Sequence, residues 1–147
     1  MRMRNAHEPI EILLVEDNPG DVGLVLEGFK ESRIPHRISV VDDGEEALNY
    51  LRTEQHPCPD FVMLDLNLPK KDGREVLSEM KADPKLRHLP VIIFSSSEAE
   101  QDLLHAYRLQ ASCFVTKAVD LEEFLTSVKS IAEFWLASVK LPPRAWS

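Results

Sequence analysis

Cysteine is scarce in this chain of 147 residues: Cys58 and Cys113 stand far apart, form no CxxC pair and have no His at metal-ligand spacing beside them. That excludes a disulfide scaffold or a thiolate metal site and fits a reduced, cytoplasmic protein. Long apolar runs are missing too. None approaches the roughly 20 residues needed to cross a bilayer, so no membrane association is expected. The basic opening Met1-Arg2-Met3-Arg4 leads into Asn5-Ala6-His7-Glu8-Pro9, which is not the apolar core of a signal peptide. Positive charge is also in deficit, with 17 Lys plus Arg against 25 Asp plus Glu and a net charge of −8. No basic patch gathers anywhere, and such a chain repels phosphate backbones, so no direct nucleic-acid partner is expected. Internal repeats and low-complexity segments are absent.

What remains is the composition of one ordinary globular domain, 44% apolar and 29% charged. It divides into an N-terminal tail over 1–8, a domain over 9–140 and a C-terminal tail over 141–147, with no output domain expected. Five short runs rich in β-branched residues read as strands: Ile10 to Val15, Arg37 to Val41, Phe61 to Leu64, Val91 to Phe94 and Cys113 to Val115. They are mostly continuous rather than alternating, the pattern of parallel strands covered on both faces.

Helical patterns fill the gaps. The first helix starts at Asn18 as N-cap, with Pro19 at the first helical position and Asp21 near the positive end of the dipole. Its face is Val22, Val25, Leu26 and Phe29. The second carries Ala47, Leu48 and Leu51; the third carries Val76, Leu77 and Met80 and stops near Asp83, before Pro84. The fourth presents Leu103, Leu104 and Tyr107. The fifth repeats Leu121, Phe124, Leu125, Val128, Ala132 and Trp135 at helical spacing. Strand and helix alternate five times, which predicts a doubly wound α/β fold with ligands at the carboxyl ends of the strands.

Those ends carry the chemistry. Glu16 and Asp17 follow the first strand, Asp65 closes the third, Ser95 follows the fourth and Lys117 the fifth. In the flavodoxin-like order 2-1-3-4-5, strands one and three are neighbours, and Glu16, Asp17 and Asp65 converge. Two like charges about 4 Å apart repel by roughly 4 kcal/mol at an effective dielectric near 20, so the cluster must protonate or recruit a cation. Mg2+ suits carboxylate oxygens that leave room for water and phosphate. With Lys117 adding positive charge, Asp65 is the candidate nucleophile for forming an acyl phosphate.

These residues resemble the receiver domain of two-component response regulators. The acidic pair Glu16-Asp17, the aspartate in Met63-Leu64-Asp65-Leu66-Asn67-Leu68-Pro69, the hydroxyl of Ser95 and Lys117 carry the resemblance, which covers about residues 9 to 137. The run from Glu16 to Asp21 and the ending Phe134-Trp135-Leu136 with Leu141-Pro142 are similar to a narrower group, the small response regulators of cyanobacterial phytochromes. The resemblance implies the flavodoxin-like, five-stranded parallel sheet with five helices and a signalling role rather than a turnover enzyme. It implies phosphoryl transfer to Asp65 from a sensor histidine kinase, a cyanobacterial phytochrome, and hydrolysis assisted by the chain itself. Mg2+ would be held by Asp17, Asp65 and the backbone carbonyl of Asn67, with Glu16 binding a metal-ligated water. Ser95 would move onto the phosphoryl group and Phe114 turn inward, remodelling the face of helix four, strand five and helix five. Asn67 and Ser97 would influence water access.

Departures from the commonest family pattern are Glu16 for Asp, Ser95 for Thr, and Ala118 where Pro usually follows the lysine. A cis bond before Ala costs about 2.5 to 4 kcal/mol, against about 0.5 to 1 before Pro, so the sequence leaves the cis or trans state of Lys117-Ala118 open. A phosphatase with an aspartyl nucleophile is disfavoured, because Leu66-Asn67 supplies no second acid two residues on. A flavin carrier is disfavoured by the acids of Glu16-Asp17-Asn18-Pro19. A phosphorylation-independent docking protein on the same fold stays open. Phe134, Trp135, Leu136 and Val139 exceed one packing face, which predicts a homodimer through helix five and adjacent surface. Partner choice is expected on the first helix, near Asp21, Val22 and Val25, and on the loop after Lys117.

Overall fold

In the computed structural model, residues 8–96 and 100–143 are described. Five strands, β1 (Ile10–Val15), β2 (His36–Val41), β3 (Phe61–Leu64), β4 (Val91–Ser95) and β5 (Cys113–Thr116), alternate with α1 (Pro19–Lys30), α2 (Gly44–Arg52), α3 (Gly73–Ala82), α4 (Glu100–Arg108) and α5 (Leu121–Glu133). All strand pairs are parallel, in the order β2-β1-β3-β4-β5, as the alternation predicts. Three strands differ slightly from the sequence reading: β2 starts at His36, β4 includes Ser95, and β5 includes Thr116.

The continuous runs are buried for the reason given by their pattern. β1, β3 and β4 are buried at every position, whereas the edge strand β2 is partly exposed. One face packs Leu13, Val15, Val62 and Leu64 against α2 and α3; the other packs Ile12, Leu14, Met63 and Ile92 against α1 and α5. Side-chain caps start the helices. The Asn18 carboxamide oxygen accepts from the Asp21 N–H at 3.1 Å, Asp43 from Glu46 at 2.8 Å, and Asp120 from Glu123 at 3.0 Å. α3 ends at Ala82, with Asp83 as its C-cap just before Pro84.

Three expectations about packing are corrected. In α4, Leu103, Leu104 and Tyr107 are exposed, and the residue turned to the core is Ala106. Its inward stripe is narrower than the apolar content implies. Leu26 of α1 and Leu121 of α5 also leave their predicted stripes for solvent. At the C-terminal end, Trp135 and Leu136 are buried rather than surplus, because they continue the spacing of Val128, Ile131 and Ala132. Trp135 packs on Phe61, ring centroids 5.6 Å apart. Phe134, opening the π-helical turn Phe134–Ser138, is the large exposed side chain of that segment, and Val139 is half-buried.

Both cysteines are free. No cis peptide bond occurs among the described residues, so Lys117-Ala118 is trans. Among those residues no helix is long and apolar enough to cross a membrane.

Candidate functional site

Register brings the site together. Val15 pairs with Leu64, so the next residues, Glu16 and Asp65, leave the sheet side by side. Their backbones are still held: the Asp65 N–H donates to the Val15 carbonyl at 3.1 Å and the Glu16 N–H to Val41 at 3.0 Å. Leu64 pairs with Ile93 and Ser95 with Thr116, which sets the end of β4 next to Asp65 and the start of the following loop next to Ser95. The Lys117 N–H then donates to the Ser95 carbonyl at 2.9 Å.

From that anchor the Lys117 side chain reaches across β4 to three carboxylates. Its Nζ lies 2.5 Å from Glu16 Oε1, 2.8 Å from Asp21 Oδ2 and 3.0 Å from Asp65 Oδ2. The Lys117 side chain is 8% exposed and that of Glu16 2%. Burial alone would lower the Lys117 pKa, but its hydrogen bonds to Asp21 and Glu16 and the charge of Asp65 hold it above the ordinary lysine value. Burial acts the opposite way on an acid. It pushes the Glu16 carboxyl up to about 7, with the Asp65 charge adding to the rise and Lys117 opposing it.

One carboxylate oxygen from each of Glu16, Asp17 and Asp65 lies within 4.8 Å of the others. Asp17 is exposed while Glu16 and Asp65 are buried, so the cluster opens to solvent on the Asp17 side. These hard oxygen donors fit a small divalent cation, and the buried acids gain most from one. A second acidic group, Asp42, Asp43 and Glu46, is similarly compact. There, however, Asp43 caps α2 and faces Lys70 at 3.6 Å, so its oxygens already serve the fold.

Glu16, Asp17, Asp65 and Lys117 are thus brought together as the sequence predicts. Asn67 lies beside them, its N–H donating to Asp65 Oδ1 at 3.2 Å. Ser95 is fully buried at the end of β4. Phe114 is opposite Ile93 in the sheet and half-buried against the α2–α3 core. Ser97 lies outside the described residues.

Sequence reasoning places Asp21 on the first turn of α1 and does not bring it to the lysine. The available signal is the Asn18 cap, which starts the helix directly after the strand and returns position 21 to the strand ends. Gly73 is missed as well. A Cβ there would lie 2.1 Å from the Asp65 carbonyl oxygen, and its N–H donates to the Leu66 carbonyl at 2.9 Å. Only a residue without a side chain lets α3 begin against the backbone of Asp65.

Residues 12–129 match the family model of the response regulator receiver domain. Response regulator Rcp1 of Synechocystis sp. is 42% identical over 93% of this chain and 96% of its own. The probable methanogenesis regulatory protein FilR2 of Methanothrix harundinacea is 37% identical over 93% of this chain and 90% of its own. Among solved structures, the Mn(2+)-bound form of Rcp1 superposes with a TM-score of 0.89 at 43% identity, covering 91% of this chain and 99% of that one. The phosphorylated cyanobacterial phytochrome response regulator RcpA gives 0.88 at 46% identity, covering 92% and 99%.

Proposed function

The chain belongs to the response regulator receiver domain family, and on that premise we propose that Asp65 accepts a phosphoryl group from a sensor histidine kinase of the phytochrome type. The observation that carries this reading is the Lys117 ammonium 3.0 Å from Asp65 Oδ2, beside an acidic cluster with oxygens within 4.8 Å of one another. The similarity to Rcp1 and to phosphorylated RcpA supports the choice of kinase.

A carboxylate oxygen of Asp65 attacks the phosphorus of the kinase's phosphohistidine. The new P–O bond forms as the P–N bond breaks, its electron pair staying on the imidazole. Lys117, already paired with Asp65, follows the charge onto the phosphoryl oxygens. Asp17, Asp65 and the Asn67 backbone carbonyl would hold Mg2+, and Glu16 would take a metal-ligated water. Bound there, the ion supplies neutralisation of the phosphoryl oxygens. Ser95 moves its hydroxyl onto a phosphoryl oxygen, Phe114 fills the space behind it, and the face of α4, β5 and α5 shifts population. Asn67 and Ser97 govern water access during hydrolysis of the acyl phosphate.

The domain runs over 9–140 between two tails, acts in the cytoplasm as a signalling protein rather than a turnover enzyme, pairs as a homodimer through α5 and adjacent surface, and binds neither membrane nor nucleic acid. Incubation with Mg2+ and acetyl phosphate tests the acceptor. The wild type gains about 80 Da by intact mass and Asp65→Asn does not; equal masses for both would end the proposal. An autophosphorylated phytochrome kinase that fails to pass its label to the wild type, while acetyl phosphate succeeds, would remove the kinase assignment alone.

A further inference from the structure

α4 is the least anchored helix of the domain. Among its described side chains only Ala106 is buried, while Leu103, Leu104 and Tyr107 face solvent. One methyl group gives little to position a nine-residue helix, and a helix so short is marginal without tertiary support. Something else must hold it.

Among the described residues, a polar hold stands at its first turn. Arg74 of α3 donates from Nε to Asp102 Oδ1 at 2.7 Å and from Nη2 to Asp102 Oδ2 at 2.6 Å, a fork against a fork. With side chains 31% and 17% exposed, this pair is better shielded than an ordinary surface ion pair. The same guanidinium donates from Nη1 to both Asp72 oxygens, at 3.0 and 3.1 Å. Asp72 is the N-cap of α3, and the next residue, Gly73, is seated against the carbonyl of Asp65. A continuous line of close contacts therefore runs from the backbone of Asp65 through Gly73 and Arg74 to α4.

We propose that Arg74 is a positioning residue that ties α4 to the Asp65 loop: one guanidinium, clamped between Asp72 and Asp102, sets where α4 sits and makes that setting depend on what is bonded to Asp65. The tether stands on geometry alone; its dependence on Asp65 rests on the phosphoryl-acceptor reading above. By linkage, a group that reports the state of Asp65 to α4 must lose that report when it is removed, even while Asp65 still reacts.

Hydrogen–deuterium exchange of the full chain tests this, using wild type, Arg74→Met, Asp102→Asn and the double variant, with and without Mg2+ and acetyl phosphate. Without acetyl phosphate, amides of residues 104–108 should exchange about tenfold faster in each single variant, and no faster in the double, because both remove one interaction. Amides of β1 and β3 should be unchanged. Arg74→Lys, which keeps the charge and loses the fork, should fall between. With acetyl phosphate, exchange in α4 should change in the wild type and not in Arg74→Met, although both gain the phosphoryl mass. Wild-type exchange of α4 in Arg74→Met, or additive effects in the double, would overturn the tether. A full response of α4 in Arg74→Met would overturn the coupling. If the wild type gains no phosphoryl mass, the acceptor reading fails, and the unphosphorylated variants still decide the tether.

Discussion

Replacing Lys117 by Met removes the cation that three carboxylates share, at 2.5, 2.8 and 3.0 Å. At an effective dielectric near 20, each such contact is about 6 kcal/mol of gross attraction, most of it offset by several kcal/mol of desolvation per ion. The cost of the substitution comes from what is left behind. Glu16 and Asp65 stay buried side by side with no counter-charge, and breaking a buried pair in this way costs about 3 to 5 kcal/mol. Loss of Lys117 removes influences that lower the Glu16 pKa, so that carboxyl rises from about 7 and takes up a proton at neutral pH. That response limits the damage to the low end, about 3 kcal/mol. Urea unfolding in EDTA at pH 7.5, followed by tryptophan fluorescence, measures it. Added Mg2+ should recover much of the deficit, since a divalent ion among the same oxygens replaces the missing charge. A loss under about 1 kcal/mol in EDTA would mean that the lysine is no more than a surface partner, and the electrostatic account of the site would fail.

Other outcomes follow from the same contacts. In EDTA, Glu16 favours the fold when protonated: its pKa is raised from 4.5 to about 7, so the contribution is full below 4.5 and lost as pH rises through 7. The loss is on the order of 3 kcal/mol, and Glu16→Gln should flatten the stability profile between those values; an unchanged slope would exclude Glu16 as its source. Gly73→Ala forces a Cβ to 2.1 Å from the Asp65 carbonyl, and should cost about 2 kcal/mol in urea unfolding while slowing phosphorylation by acetyl phosphate; unaltered kinetics would show that the loop adapts. Trp135→Ala should cost about 3 to 5 kcal/mol, and Phe134→Ala less than about 0.5 kcal/mol, since the first is buried and the second is 57% exposed. Equal effects in thermal melts would contradict the inward packing of the C-terminal turn.

The fold was legible because its signals are local and redundant. Continuous apolar runs such as Val91 to Phe94, and caps such as Asn18-Pro19, each imply their element without reference to the rest of the chain. The strand-end acids were legible for a related reason, since parallel register turns positions just past the strands into neighbours. Packing at the margins was not. Leu103, Leu104 and Tyr107 have the spacing of a core stripe, yet periodicity does not reveal that Ala106 is the one described side chain of α4 that is buried. Trp135 and Leu136 err in the opposite direction, because the helical stripe continues beyond α5 into the π turn. Asp21 and Arg74 act through partners distant in sequence, Lys117 and Asp102, and only tertiary structure pairs them.

The places where local rules are broken coincide with the site. Along β1, β3 and β4 the interior is almost wholly apolar, and at their carboxyl ends stand the buried polar residues Glu16, Asp65 and Ser95. Three carboxylates, those of Glu16, Asp21 and Asp65, share one ammonium, that of Lys117, and a fourth, Asp17, lies close to Glu16 and Asp65. A fold selected for stability alone would fill these positions with aliphatic side chains, which are often neutral or stabilising in place of buried ions. The surplus negative charge has a direction: Lys117 holds one side of Asp65, and Asp17 leaves the other side open to solvent. A hard cation entering from that open side lowers the repulsion and leaves Lys117 free to follow new charge on Asp65. The repulsion within the cluster is what a bound cation would relieve, so neutralising Glu16 should stabilise the domain and weaken Mg2+ binding, which calorimetric titration of Glu16→Gln measures; unchanged binding would refute the argument.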